Sequence, residues 1–515
     1  MVTPIKPADN DRQCAVSRMK PERVPAPEPK QPVGLAGGQG FALAFGLFLG
    51  LALWKFGNPV VLDPRVEPPT SFVEAWSQSW PPRWSFWCLM PVALFGIRFA
   101  IAHKAHWTGS RWLWVWPLAW FGWQLASATQ SLDGTLTVLT LMHFSGCVLC
   151  YFIGNWSLGE ERLLRVLLIG LLAAFAVCLV RAANQKLFEF PQEKQALLEG
   201  ERIGWTNFTP EVVRQMKAEG IILTTNGMDM ANPVIVAKYD KGRVFGTLFY
   251  PNALAGAVLL LLPVALTLAI TETRGFGTPS RCALIGLALF LGVGSLLWSQ
   301  SRSGWLIAVA MLGTASFRLN WSLRWKWLAL LLVVVVGAAV FALRFHHYLA
   351  AGATSVGARL DYWHAAVKNT IEHPLLGSGP GTFQRAYVVL KRPESEMARL
   401  AHNDYLEQFS DSGVFGGVSY LAWIGLLLGT LARGTLRGSS PTTFAISVGL
   451  LGWFTQGLSE FGLYIPALAW AAFALAGGVL RLSALQEKSR ATLAALGNSH
   501  SAFLASEARN DQDVR

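Results

Sequence analysis

Three stretches of the chain set ionisable side chains at the edges of apolar runs, and their residue types suggest what they could do. In RVFGTLFYPNALAG (Arg243–Gly256) a guanidinium precedes an apolar segment, with Pro251 and Asn252 about two helical turns on if the stretch is helical. In SQSRSGW (Ser299–Trp305) Arg302 stands between two apolar segments, flanked by Gln300, Ser301 and Ser303. In AHNDYLEQFSDSG (Ala401–Gly413) His402 is followed by Asn403, Asp404, Tyr405 and Glu407. A guanidinium is always charged and offers a planar fork of donors that suits phosphate oxygens. A neutral imidazole with acidic neighbours can take a proton from a hydroxyl.

Each stretch also has a plainer reading. Arg243 alone reads best as a snorkelling or topology-setting arginine. Arg302 could rest on lipid phosphate, but an ionisable residue at membrane depth is costly and is a functional hypothesis by default. A lone histidine is more often structural than catalytic. A solvated face accounts for Asp404 and Glu407, and PLLGSGPGTF (Pro374–Phe383) reads as a flexible turn before it reads as a backbone nest for an anion.

The elements that position these residues follow from composition. Apolar residues make up 52% of the chain and charged ones 14%, with mean hydropathy +0.38. Soluble domains run near a quarter charged, so the chain reads as a polytopic membrane protein. At ~20 apolar residues per crossing, about twelve transmembrane helices are expected: spans 1–5 within 39–182, spans 6–9 within 250–343 and spans 10–12 within 414–481. Between them lie two long polar loops, 183–249 and 344–413, with tails at 1–38 and 482–515. The runs do not alternate as barrel strands do, so the fold class is all-α.

Basic residues set the orientation. Short connections on one side contain Lys104 and Arg111, Arg162 and Arg165, Arg274 and Arg281, Arg318, Arg324 and Lys326, then Arg433 and Arg437. On the other side, Ala128–Gly134 and Ser459–Gly462 contain none. Positive-inside bias thus places both termini in the cytoplasm and both long loops outside, where Arg243 runs against the topological trend.

The remaining features are blander. The net charge of +12 lies largely in the cytoplasmic turns and in the proline-rich tail 1–38. That tail reads as disordered, near anionic lipid, and not as a signal peptide. No compact basic domain suggests nucleic-acid binding. Cys147 and Cys150 form a CxxC inside an apolar span and read as inert buried thiols. Trp107, Trp112, Trp114, Trp116, Trp120 and Trp123 read as an interfacial belt. Ala358–Ile371 sets Leu360, Trp363, Val367 and Ile371 on one stripe that could lie on the membrane or cover a cavity. Pro210–Ile221 is an amphipathic piece with no assigned role, and Ser483–Leu496 reads as a short helix followed by disorder.

The ordered set SQSRSGW, Arg359-x3-Trp363, PLLGSGPGTF and AHNDYLEQFSDSGVFGG between hydrophobic spans resembles the O-antigen ligase and Wzy-type O-antigen polymerase family. RVFGTLFYPNALA looks like that family's upstream motif, so the similar region runs over about residues 243–461. The resemblance implies an inverting glycosyltransferase of GT-C-like architecture in the bacterial inner membrane, with its active site facing the periplasm and neither metal nor other cofactor. The donor would be a glycan on undecaprenyl pyrophosphate. The acceptor would be lipid A–core in the ligase branch, or another lipid-linked glycan in the polymerase branch. By motif, Arg243 and Arg302 would hold the pyrophosphate, with Arg359 as an additional ligand. His402 would deprotonate or orient the acceptor hydroxyl, with Asn252, Asn403, Asp404 and Tyr405 in support.

That mechanism is physically coherent, because two fixed guanidinium groups can stabilise the charge on a departing pyrophosphate. The long 183–249 loop is the departure that the resemblance leaves unassigned. Two further readings share the spans. A transporter of lipid-linked glycan would use the same arginines, although the ionisable residues cluster at the outer surface and no internal repeat is visible. A non-catalytic scaffold would need no such cluster.

Overall fold

Every one of the expected spans forms a helix. A computed structural model of the chain describes residues 34–102, 107, 109–316, 318, 321–344, 354–436 and 439–513. Most of the 1–38 tail, Lys104 and Arg437 lie outside the described residues. The first helices are α1 (Gly34–Lys55), α2 (Phe72–Ser77), α3 (Pro82–Ala102), α4 (Trp112–Ser127), α5 (Gly134–Ser157) and α6 (Glu161–Asn184). A π turn at Gln185–Glu189 carries α6 into α7 (Phe190–Arg202). Then come α8 (Pro210–Ala218), a hairpin of β1 (Ile222–Thr225) and β2 (Met228–Ala231), and α9 (Pro233–Lys241). The second half holds α10 (Pro251–Glu272), α11 (Thr278–Ser299), α12 (Arg302–Ser316), α13 (Leu323–Arg344), α14 (Thr354–Glu372) and α15 (Phe383–Leu390). It closes with α16 (Asp404–Leu436), α17 (Pro441–Gln456) and α18 (Pro466–Asp513).

Among the described residues, nine helices are long and apolar enough to cross a membrane. The other three expected spans are α4, α12 and α17, of 16, 15 and 16 residues. At 1.5 Å per residue they reach only about 24 Å, so they fit among longer neighbours. The protein is an all-α polytopic membrane protein.

Local sequence explains where the helices begin. Asp133 caps α5 by accepting from Leu136 N, Ser440 caps α17 through Thr443 N, and proline opens α10, α17 and α18. α18 is the central helix, with 78% of its apolar window buried, whereas the window of α13 buries 0% and faces outward. The contact between α5 and α18 depends on glycine, because a methyl on Gly477 would lie 2.0 Å from Tyr151 O. Lipid tails are as apolar as leucine, so close packing of small residues holds such pairs together.

Several expectations change. The helix begun at Pro466 continues along its backbone to Asp513, where disorder was expected beyond Leu496. Trp120 and Trp123 are not belt residues: Trp120 is fully buried and donates to Gln408 Oε1, while Trp123 donates to the carbonyls of Leu375 and Ser412. Residues 190–241 fold as a small cap around Leu197, Trp205, Ile222 and Ala231, and Thr209 caps α8 within it. Cys147 and Cys150 are free, buried thiols.

Candidate active site

The site is built at the end of the bundle where α10, α12, α16 and α18 begin and α11 and α17 end. Its framework is a second, smaller core of Tyr362, Ala365, Ala366, Phe383, Tyr387, Ala398 and Ala401 under α14 and α15. On the opposite face of α14, Leu360, Val367 and Ile371 are exposed, but Trp363, expected on the same stripe, is partly buried against this core. Asn369 ties the pieces together by donating to Ser378 Oγ and to both Ser410 O and Ser410 Oγ.

The glycine-rich segment is a buried wedge, not a flexible turn. Ser378 N and Gly379 N donate to the carbonyls of Ser410 and Asp411 on α16. Gly381 adopts φ +75°, and its N–H donates to Asp411 Oδ2 at 2.7 Å. The anion in this nest is therefore a carboxylate of the chain itself. Asp411 also accepts from Tyr464 Oη at 2.8 Å. α16 bends just beyond, where Ser412 and Gly413 leave helical geometry.

His402 lies in the turn before α16. Its φ is +52°, a region that non-glycine residues seldom occupy and that costs of order 1–3 kcal/mol. Gln300, in the SQSRSGW turn, shares that conformation at φ +52° and donates to Lys241 O. The His402 ring stacks on Tyr362 and meets the Phe461 ring edge-on at 4.7 Å. The side chain is 27% exposed, but Nδ1 is buried.

The neighbours of His402 serve the framework. Asn403 caps α16, accepting from Tyr405 N and Leu406 N. Asp404 accepts from Leu463 N, and its own N–H donates to Gly457 O and Glu460 O. Tyr405 Oη donates to Phe454 O at 2.8 Å. A solvated face does not describe Asp404 or Glu407, since both are buried and Glu407 accepts from Ala401 N.

The arginines gather around a residue that the sequence reading passed over. Glu460 is buried in the short connection between α17 and α18. Its Oε1 accepts from Arg359 Nη2 at 2.5 Å and from Asn252 Nδ2 at 2.6 Å. Its Oε2 accepts from Tyr250 Oη at 2.7 Å and stands 3.4 Å from His402 Nδ1. Arg359 also donates through Nε to Ser459 O. Residues 243–250 form a turn, so Asn252 comes near enough for its Oδ1 to accept from Arg243 Nη2, and Arg243 Nε donates to Ser299 O. Arg302, at the start of α12, donates through Nη1 to Ser355 Oγ, one turn before Arg359 on α14. Arg243, Asn252 and Arg359 thus meet Glu460 in one hydrogen-bonded cluster, with His402 Nδ1 3.4 Å from that carboxylate and Arg302 at the cluster's edge. A signal for Glu460 was present: it is the only acidic residue between Asp411 and Glu487, set between two apolar runs.

The electrostatics fit an anion site. Burial, then Arg302, pulls the Arg243 guanidinium down from its ordinary range. Burial works to raise Glu460, but His402, Arg359 and Tyr250 outweigh it and hold the carboxyl below its usual value. Burial and Glu460 push the Tyr250 phenol well up, so it stays a donor. Beside Arg243 opens a cavity of about 860 Å³, lined by Val234, Lys238, Phe245, Phe249 and Tyr250. Apolar walls with a basic rim suit an amphiphile carrying negative charge.

Residues 287–421 match the family model for O-antigen ligase. No curated protein matches the chain. The matched span contains Arg302, Arg359, His402 and the glycine wedge, while Arg243, Asn252 and Glu460 lie outside it. Over residues 287–421 this polytopic membrane protein is thus similar to the O-antigen ligase family.

Proposed function

We propose that the protein transfers a glycan from undecaprenyl pyrophosphate to an acceptor hydroxyl, O-antigen ligase fashion, on the periplasmic face of the bacterial inner membrane. The observation that carries this reading is the convergence of Arg243, Arg359 and His402, distant in sequence, on the single carboxylate of Glu460, directly or through Asn252. With Arg302 alongside, positive charge is in excess, and a pyrophosphate is the complementary ligand.

In this mechanism the acceptor oxygen attacks the anomeric carbon as its proton passes to His402. The bond from that carbon to the phosphate oxygen breaks, and its electron pair leaves with the pyrophosphate. Arg243 and Arg302 stabilise the charge that develops, and they are pre-oriented by Ser299 O, Asn252 and Ser355. Arg359 is already engaged by Glu460 and Ser459, so its part is a shared one, split between ligand and framework. A membrane-depth cavity of about 400 Å³, lined by Leu259, Leu262, Val293, Trp305 and Met311, begins one turn past Arg302 and offers space to an isoprenoid tail.

The test is transfer by the purified protein in proteoliposomes, with an undecaprenyl-pyrophosphate glycan as labelled donor, EDTA present and ATP absent. Lipid A–core and a second lipid-linked glycan are offered together. Label on lipid A–core is the expected result. A growing ladder on the carrier would make it a polymerase, and no transfer from competent donor by folded protein would sink the enzyme reading in favour of transport. His402→Ala should abolish transfer while donor binding persists. Arg302→Lys should lose at least tenfold in kcat/KM, because an ammonium cannot reproduce the planar fork.

A further inference from the structure

Glu460 has a chemical role that its contacts define. Among the described residues it is the one acidic side chain in direct contact with His402, and the groups facing it come from three elements. Arg359 approaches from α14, Tyr250 and Asn252 from the start of α10, and His402 from the turn before α16. Arg243 acts on it through Asn252, and Asp404 lies two residues past His402 with its N–H on Glu460 O.

We propose that Glu460 is the positioning carboxylate of the transfer reaction, holding His402 in the tautomer that carries its proton on Nδ1. This rests on the reading of His402 as the base. Nδ1 is buried, has no full hydrogen bond, and lies 3.4 Å from Glu460 Oε2. A shift of a few tenths of an ångström closes that contact into a charge-assisted hydrogen bond. Nε2 then keeps its lone pair to accept a proton. As the acceptor hydroxyl attacks, its proton moves to Nε2, its oxygen bonds to the anomeric carbon, and pyrophosphate departs with the electron pair. The imidazolium so formed is balanced by the Glu460 carboxylate, and the proton later leaves to solvent or to the released pyrophosphate. The same carboxylate fixes Arg359 and, through Asn252, Arg243. Base and anion holders are thereby set in register by one side chain.

A structural role alone does not predict a split between kcat and KM, and this proposal does. In Glu460→Gln the loss should fall on the transfer step, where the orientation of His402 matters, and not on donor binding. The kcat should fall about 10²- to 10⁴-fold, the range seen when a histidine loses the carboxylate that orients it, while donor KM changes by less than about tenfold. Glu460→Asp, which keeps the charge at shorter reach, should give an intermediate kcat. Thermal melting of each detergent-purified variant monitors folding, and if the glutamine variant does not fold, the aspartate variant decides. Wild-type kcat in Glu460→Asp overturns the proposal. So does a folded Glu460→Gln that keeps wild-type kcat, whatever its donor KM, provided His402→Ala is inactive. If His402→Ala itself transfers at wild-type rate, the base assignment fails instead, which separates the two failures.

Discussion

At the scale of single residues, the proposed chemistry rests on conformations that the chain would not adopt locally. His402 and Gln300 both hold positive φ without being glycine, and each sits in a stretch whose composition had already marked it. Such strain persists where the surroundings over-determine it. For His402 those surroundings are Tyr362, Phe461 and the carboxylate of Glu460. The folded-state value of Glu460 lies below its ordinary 4.5. Its contribution to stability is thus complete above about pH 4.5 and is lost as pH falls through the depressed folded value. Glu460→Gln should melt below wild type at pH 7, and the gap should close in acid; a gap independent of pH would show that the carboxylate's charge is not what matters. His402, Arg243, Arg302 and Arg359 were legible because their side-chain chemistry is scarce beside apolar runs. Glu460 was not, because its meaning lies in partners 58 to 210 positions away in sequence.

At the scale of elements, α16 shows what periodicity can and cannot say. The apolar stretch after Gly413 announced a span, but the preceding AHNDYLEQFSDSG looked solvated. Those polar residues face inward because the glycine wedge and the α17–α18 connection supply their hydrogen bonds, and such distant partners leave no trace in local pattern. The bend at Gly413 is specific. Its φ is +69°, and a methyl there would lie 2.3 Å from Leu375 O. Gly425, in the regular part of the same helix, has open space. Gly413→Ala should therefore destabilise by about 2 kcal/mol or more, and Gly425→Ala should be neutral or stabilise by roughly 0.5–1 kcal/mol. Thermal melts in one detergent compare them, and equal effects would show that the bend is not glycine-dependent.

At the scale of the molecule, the all-helical membrane architecture was the most legible level, since length and hydropathy determine it. The folded cap at 190–241 was the least, because its short helices and hairpin carry little apolar area each and depend on one another around Trp205. The orientation proposed from basic residues is open to a direct check. In a cysteine-free background, Thr206→Cys in the cap should react with an impermeant maleimide on intact inner-membrane-exposed cells, and Gly275→Cys between α10 and α11 only after permeabilisation. The reverse pattern would invert the protein and move the site to the cytoplasm.

The turn that carries His402 is fastened to the α17–α18 connection three times over, through Asp404 N to Gly457 O and Glu460 O and through the Asp404 carboxylate to Leu463 N. The family-matched span ends at 421, so one half of this clasp lies inside it and the other half outside. Exchange of the matched segment alone between relatives would mate a histidine turn with a foreign clasp. On the proposed reading a functional chimera needs residues 457–463 and 243–252 to travel with it, which would make the unit of inheritance for this chemistry a discontinuous one.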